Sequence, residues 1–158
     1  MATKKNAAAG EQLICVNRQA RHNYFIDEVF EAGLVLVGSE VKSLRDGKAN
    51  LVDSYARIHK GEAFLVNSHI SAYSGANQFN HEPTRLRKLL LHEREIERLT
   101  GKTKERGLTL IPLRLYFKNG RAKVELGLAR GKKNYDKRES LKRHEAAREM
   151  DRSIRARR

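Results

Sequence analysis

Leu108-Thr109-Leu110-Ile111-Pro112-Leu113-Arg114-Leu115-Tyr116-Phe117-Lys118, then Asn119-Gly120, then Arg121-Ala122-Lys123-Val124-Glu125-Leu126-Gly127-Leu128-Ala129-Arg130, reads as two strands folded back on each other. Asn-Gly favours positive φ at both central positions of a type I′ turn, the turn whose twist matches paired strands. Counting outward from that turn sets Phe117 opposite Ala122, Leu115 opposite Val124, Leu113 opposite Leu126 and Ile111 opposite Leu128, so one face is apolar throughout. The other face sets Tyr116 beside Lys123 and Arg114 beside Glu125, a cross-strand ion pair. A slip of one residue would mix the two faces. In this register Pro112 meets Gly127 at a hydrogen-bonded position where proline has no N–H to donate, which predicts a bulge or the end of the ladder there.

Outward from the hairpin, Tyr55 to His59 and Glu62 to Val66 form a second antiparallel pair around Lys60-Gly61, with Ile58/Ala63 and Ala56/Leu65 on one face. Tyr24 to Val37 reads as a long strand with Tyr24, Ile26, Phe30, Ala32, Leu34 and Leu36 on one side, broken by Glu28, and Gly33 marks a bulge. Ser39 to Asp46 predicts a short helix with Val41 and Leu44 inward. His92 to about Lys104 predicts another, with Ile96 and Leu99 inward and Gly101 limiting it. Asn17 to Asn23 holds a third short turn. The chain is therefore mainly β with short helices, and an OB-like antiparallel β-barrel fits best because closure removes exposed edges. An α+β sandwich is the alternative.

The 158 residues allow one domain. Residues 1–12 are Lys, Ala and Gly with little to bury and are expected to be flexible; residues 13–130 form the body; residues 131–158 form a basic tail. From Arg130 onward, 12 Lys+Arg face 5 Asp+Glu, half of the chain's net charge of +14. The large apolar side chains there are Tyr135, Leu141, Met150 and Ile154, too few to repay backbone ordering by burial. The stretch Glu145 to Met150 nevertheless favours helix, with a stripe at Ala147, Met150 and Ile154 and i,i+4 pairs Glu139/Arg143 and Asp151/Arg155. A disordered or conditionally helical tail follows. As a membrane-surface helix it is weaker, because the stripe is narrow and lacks Trp or Phe.

Several functional classes drop out on composition. Six histidines and Cys15 show no metal-ligand spacing, and a single cysteine forms no internal disulfide. Gly47-Lys48 lacks the flanking glycines of a phosphate loop, and neither a nucleophile elbow nor a dinucleotide fingerprint is present. No metal, no cofactor and no catalytic residue are expected. No apolar run reaches the roughly 18 residues of a membrane span, and Met1 to Asn6 is not followed by a signal-peptide core, so the expected location is the cytoplasm. A pI near 10.2 makes polyanions the partners to consider first.

Two clusters suit RNA. Asn17, Arg18, Arg21, His22 and Tyr24 place amide, guanidinium, imidazole and aromatic groups within eight residues, a set able to grip phosphate and stack on bases. An amphipathic turn docked on the barrel with Tyr24 buried accounts for the same residues. Arg85 and Lys88 lie in a second basic run, Arg85-Leu86-Arg87-Lys88, able to meet phosphates; a solvated rim is the alternative.

Collinear blocks then point to a family. Asn17 to Ile26, Glu31-Ala32-Gly33-Leu34, Glu40-Val41-Lys42-Ser43-Leu44-Arg45, Gly47-Lys48-Ala49-Asn50, Pro83-Thr84-Arg85, Arg87-Lys88-Leu89-Leu90-Leu91, Gly127 to Lys133 and Asp136-Lys137-Arg138 follow the order seen in SsrA-binding proteins (SmpB), which the chain resembles from about residue 13 to 140. The resemblance implies a non-catalytic factor of bacterial trans-translation. It would bind the tRNA-like domain of transfer-messenger RNA and carry it to ribosomes stalled on messages lacking a usable stop codon. By position within the family's motifs, Asn17, Glu31, Leu91 and Lys123 are RNA-binding, and His22 approaches the ribosomal decoding centre. The tail would fold as a helix in the empty mRNA channel, with Lys132, Lys133, Lys137 and Arg138 on ribosomal RNA, Asp136 setting a local turn, and Met150 or Ile154 anchoring the apolar side. A monomer, with transfer-messenger RNA and the ribosome as partners, is expected.

A generic tRNA-binding protein would share the charge and the barrel, and an RNA-processing enzyme would turn over its substrate. At near-physiological salt, the chain should prefer the tRNA-like domain over an elongator tRNA by about 100-fold, roughly 2.7 kcal/mol. Equal affinities that fall together with salt would identify a general polyanion binder instead.

Overall fold

Alternation and turn chemistry locate most of the elements in a computed structural model of the chain, which describes residues 10–76, 80–104 and 108–156. In order these are β1 (Glu11–Val16), α1 (Arg18–Asn23), β2 (Tyr24–Leu34), α2 (Gly38–Arg45), β3 (Ala49–Asn50), β4 (Tyr55–His59), β5 (Glu62–Val66), β6 (His69–Ile70), β7 (Arg87–Leu90), α3 (Glu93–Lys104), β8 (Leu108–Lys118), β9 (Arg121–Gly131) and α4 (Asn134–Ala156). The protein is mainly β, with short helices and a long C-terminal helix. The expectation for residues 1–9 lies outside the described residues. β1 begins at Glu11, opposite Lys118, so pairing starts two residues before the expected edge of the body.

The main sheet runs β1-β8-β4-β5-β7-β2-β9, and β9 also pairs with β8, so the circuit of hydrogen-bonded strands returns on itself. β8 makes this possible by serving two neighbours along one edge, β1 through residues 114–118 and β4 at Leu110. β2 changes partner at Gly33, which pairs with both Lys123 of β9 and Leu90 of β7. Inside lie Phe30, Ala32, Leu44, Leu65, Leu89, Leu99, Leu110, Leu115, Val124, Leu126 and Leu128. Cys15 packs against this core from β1, and burial pushes its thiol up to about 11, keeping it protonated.

Besides a register shift in β1 between Leu13 and Cys15, two bulges depart from simple alternation. The β8–β9 register holds as expected from Lys118/Arg121 to Arg114/Glu125, then shifts by one at Leu113, so that Pro112 meets Leu126 and Ile111 meets Gly127. The expected pairs Leu113/Leu126 and Ile111/Leu128 are therefore not formed. Beyond the bulge Leu110 turns to the core, while Ile111 and Leu113 turn to the opposite side of the sheet. The second bulge is in β2 at Asp27, between Ile26 and Glu28, and not at Gly33. Gly33 is needed for a different reason: a Cβ there would lie 3.2 Å from the Leu90 Cβ. Gly101 lies inside α3 and does not limit it.

The residues turned outward by the bulges make a second apolar patch of Ala20, Ile111, Leu113 and Ala129, with Tyr24 and Ile26 against it. It seats α1 on the outer surface of β2, β8 and β9. Gly127 is the floor of this seat, since a Cβ would lie 3.0 Å from Ile26 Cγ2 and 3.2 Å from Leu113 Cδ1. Filling it should overpack the seat: Gly127→Val is expected to cost about 1–3 kcal/mol in urea unfolding. A variant as stable as the parent would show that the seat yields freely.

Candidate nucleic-acid interface

α1 is fixed by its first flanking residue. The Asn17 N–H donates to Leu113 O at 2.7 Å, and its side-chain Nδ2 donates to Pro112 O at 3.0 Å and Leu51 O at 3.5 Å. The first two bonds occupy carbonyls beside the bulge in β8, and the third reaches the loop after β3. Asn17 is buried, so its amide is committed to backbone and not presented to a ligand. The sequence set it among outward contacts; in the structure it holds the helix that carries them. Arg18 and Arg21 are exposed, while His22 and Tyr24 are half-buried, Tyr24 against the α1 seat. Asn17, Ala20, Asn23 and Tyr24 also line a small open cavity closed on its far side by Asp53, Ser54 and Ile111.

Beside α1, on the same outer surface, lies a polar strip across four strands. Glu31 is opposite Glu125, and Lys123 is opposite Tyr116. Opposed carboxylates repel, and the strip resolves this by giving each its own cations. Arg114 bridges Glu125, through Nε, and Glu11 at 3.1 Å, while its guanidinium lies 4.2 Å from the Tyr116 ring centre. Burial alone would lower the Arg114 pKa, yet these two carboxylates raise it. Tyr116 O–H donates to Glu31 Oε2, and Lys118 Nζ reaches the same oxygen at 3.3 Å. The Tyr116 bond is the main cause holding the Glu31 carboxyl below its ordinary range, against some burial, with Lys118 and Lys123 adding to it. Tyr116 lies on the polar face as the register predicts, yet it is 1% exposed. Burial, and then Glu31, push its hydroxyl upward, so it stays a donor.

The second basic run divides. Lys88 is exposed, 3.4 Å from Glu62, and Leu91 is half-buried against the core. Arg85 and Arg87 turn inward to Glu40, so the expected phosphate contact at Arg85 is replaced by an internal one. Arg85 meets Glu40 Oε1 at 2.6 Å, and Arg87 Nε meets Oε2. Arg87 also donates to Ser68 O at 2.7 Å and to Pro83 O at 3.1 Å. Burial pushes the Glu40 carboxyl up, but Arg85, the Val37 N–H and Arg87 outweigh it and hold it below the usual range. Sequence reasoning missed this ion cluster. A signal existed: Arg87, Leu89 and Leu91 share a strand face, and Glu40 lies one helical turn before the inward Leu44.

The tail is a helix, α4, the helical form of the two expected for it, and it is tied to α1 by Lys132. The Lys132 N–H donates to Asn23 O at 2.9 Å, and its Nζ to Arg21 O at 3.0 Å and Ser140 Oγ at 3.1 Å. The same ammonium lies 5.0 Å from the Phe25 ring centre. Its charge therefore serves the α1 C-terminus, where a cation is favoured, while Lys133 is exposed. Asp136 accepts from the Lys133 N–H at 3.3 Å, as a turn-setting residue should. Lys137 is half-buried, Arg138 is exposed, and from Leu141 onward every described side chain is exposed, Met150 at 70% and Ile154 at 55%. Among the described residues no group of His, Cys, Asp and Glu could hold a metal ion, and no helix is long and apolar enough to cross a membrane.

The SmpB protein family model matches residues 14–156. An SsrA-binding protein of Syntrophobacter fumaroxidans is 63% identical over 155 residues, 98% of this chain and 96% of the relative. Another, from Desulforudis audaxviator, is 64% identical over 145 residues, 92% and 95% of the two chains. A solved structure described as "tmRNA-SmpB: a journey to the center of the bacterial ribosome" aligns with a TM-score of 0.65 and 53% identity, covering 76% of this chain and 85% of that one.

The Glu40 cluster sets a stability test. Arg87→Ala should cost about 3–5 kcal/mol, because a buried carboxylate loses one of its two guanidinium partners. With its folded pKa below the unfolded value of about 4.3, Glu40 adds stability above that pH and loses it as pH falls through the folded value. Glu40→Gln should therefore flatten the acid limb of thermal stability; superimposed limbs would deny Glu40 that part.

Proposed function

The chain belongs to the SmpB protein family, and from that premise we propose that it binds transfer-messenger RNA and acts with it on the ribosome in trans-translation. It is a binding factor and not an enzyme. The observation that carries this reading is the shared outer surface: the cations of α1, the Glu31–Lys123 strip and the root of α4 are adjacent on one side of β2, β8 and β9. The closed strand circuit serves as an OB-like barrel, a fold that offers such a face to nucleic acid.

On this reading the strip and α1 bind the tRNA-like domain. Arg18 and Arg21 reach phosphates, His22 faces the decoding centre, and Tyr24 and Asn17 hold α1 in place. Lys88 adds phosphate contact from β7, and Leu91 packs beneath the edge. Arg85 acts indirectly, through Glu40. The tail is the part that tests the ribosome. A helix of 23 residues spans about 35 Å, and it carries Lys133, Lys137 and Arg138 near its root and the narrow Met150/Ile154 side toward its end. With every described side chain from Leu141 onward exposed, its helicity there rests on local propensity, so docking into a channel supplies the missing burial. An mRNA already in that channel competes as a polyanion for the same phosphate-lined space, which makes tail binding a signal of vacancy. On this reading the protein works in the cytoplasm, where ribosomes stall.

Because Lys132 ties down α1, the informative truncation removes residues 134–158 and keeps Lys132. Affinity for the tRNA-like domain should survive within about threefold, since the tail contributes mainly nonspecific charge. Tagging of nascent chains on stalled ribosomes should be abolished. Loss of most RNA affinity, with the body still folded by circular dichroism, would overturn this division of labour.

A further inference from the structure

A carboxylate is a poor tool for binding a polyanion, so the surroundings of Glu31 must explain what it does. Four strands contribute to those surroundings. From β9, Glu125 lies directly across and Lys123 lies two residues along; from β8 come Tyr116, Lys118 and Arg114; from β1 comes Glu11. Arg114 takes both other carboxylates, which leaves Glu31 facing Tyr116, Lys118 and Lys123. Both hydrogen bonds go to the same oxygen, Oε2. Among the described residues no hydrogen bond is made to Oε1, and the side chain is 38% exposed.

We propose that Tyr116 is a positioning residue of the RNA site: its buried hydroxyl, with Lys118, fixes Oε2 of Glu31 and leaves Oε1 as a single outward acceptor for one O–H or N–H donor of the RNA. This rests on the reading that Glu31 faces transfer-messenger RNA. An ionised carboxylate only accepts hydrogen bonds. Phosphate oxygens have nothing to donate, so the partner of Oε1 is a ribose 2′-hydroxyl or an exocyclic base amine, while Lys118 and Lys123 on either side hold the neighbouring phosphates. A lone carboxylate would swing between rotamers. Here the Tyr116 ring is locked by burial and by Arg114 stacked on it, so the acceptor is set before RNA arrives and less ordering entropy is lost on binding. The arrangement also confers specificity. A register that brings a phosphate to Oε1 meets repulsion, whereas generic charge attraction is indifferent to register.

The test uses the full chain with the tRNA-like domain of transfer-messenger RNA and, as the measure of nonspecific binding, an elongator tRNA. Tyr116→Phe keeps the ring and its stacking and removes only the donor. It should leave the thermal transition near that of the parent and weaken the tRNA-like domain by about threefold to tenfold, with elongator tRNA unchanged. Glu31→Gln should weaken it at least as much, and the double variant should be no worse than Glu31→Gln alone. In Tyr116→Phe the loss of affinity on acidification should also begin at a higher pH, because Glu31 has lost the bond that lowers its pKa; a purely structural tyrosine would not move that limb. Transcripts carrying 2′-deoxynucleotides, or inosine for guanosine, separate the two donor sources, since the modification that removes the donor should weaken the parent but not Glu31→Gln. Parent-like affinity in Tyr116→Phe, or losses that add in the double variant, would overturn the role of Tyr116 while leaving Glu31 in the site. Parent-like affinity in Glu31→Gln would overturn the reading of Glu31 itself. Should Tyr116→Phe unfold, Lys118→Met removes the other bond to Oε2 and is judged by the same ratio of the two RNAs.

Discussion

The bulge at Leu113 is the constraint on which the interface depends. Proline at 112 has no N–H for the ladder, and the extra residue beside it reverses the facing of every side chain N-terminal to it in β8. Without that reversal Ile111 and Leu113 would point to the core with Leu115, and the outer surface would offer α1 nothing apolar to rest on. With it, two residues of β8 join Ile26 and Ala129 in a seat for Ala20. Carbonyls beside the bulge are taken by Asn17. One irregularity thus creates the seat, the clamp and the boundary between the seat and the polar strip, because only residues C-terminal to the bulge keep Arg114, Tyr116 and Lys118 on the outside.

How much of this was legible in the sequence follows from what each signal encodes. Asn119-Gly120 fixed a turn, and alternation carried the register correctly as far as Arg114 and Glu125. Pro112 announced a break, but alternation does not say which residue is the extra one, and so Leu113 and Ile111 were set on the wrong face. Gly33 was read as a bulge because glycine is common in bulges. Its demand is a close approach to Leu90 where β2 changes partner, and the bulge fell at Asp27, a polar exposed residue whose carboxylate meets Arg130 at 3.2 Å. Alternation puts Tyr116 on the polar face but does not reveal its burial, since sequence gives the face of a strand and not what covers that face.

The charges divided less predictably, because ion pairing depends on contacts between distant segments. Arg85 and Arg87 lie 45 and 47 residues from Glu40, and a basic run in the sequence looks the same whether it faces solvent or a buried acid. The carboxylates of the body are largely answered within it: Glu28 by Arg98, Asp27 by Arg130, Glu62 by Lys88, Glu11 and Glu125 by Arg114. The net charge of +14 is therefore not spread evenly. Among the described residues no ion pair engages Arg18 or Arg21, and residues 131–158 carry a net +6 of the excess. Long-range attraction of a polyanion is therefore concentrated at α1 and the tail.

Lys132 joins these two regions into one device. Its backbone and ammonium hold the last turn of α1 while its Nζ also reaches Ser140 of α4, so the direction in which the tail leaves the body is set by the same helix that carries Arg18, Arg21 and His22. A lysine that served only as a phosphate contact would need to be free. This one is spent on geometry, and its neighbours Lys133, Lys137 and Arg138 supply the charge. The exit of α4 and the seating of α1 thus share one side chain and the apolar patch beneath it.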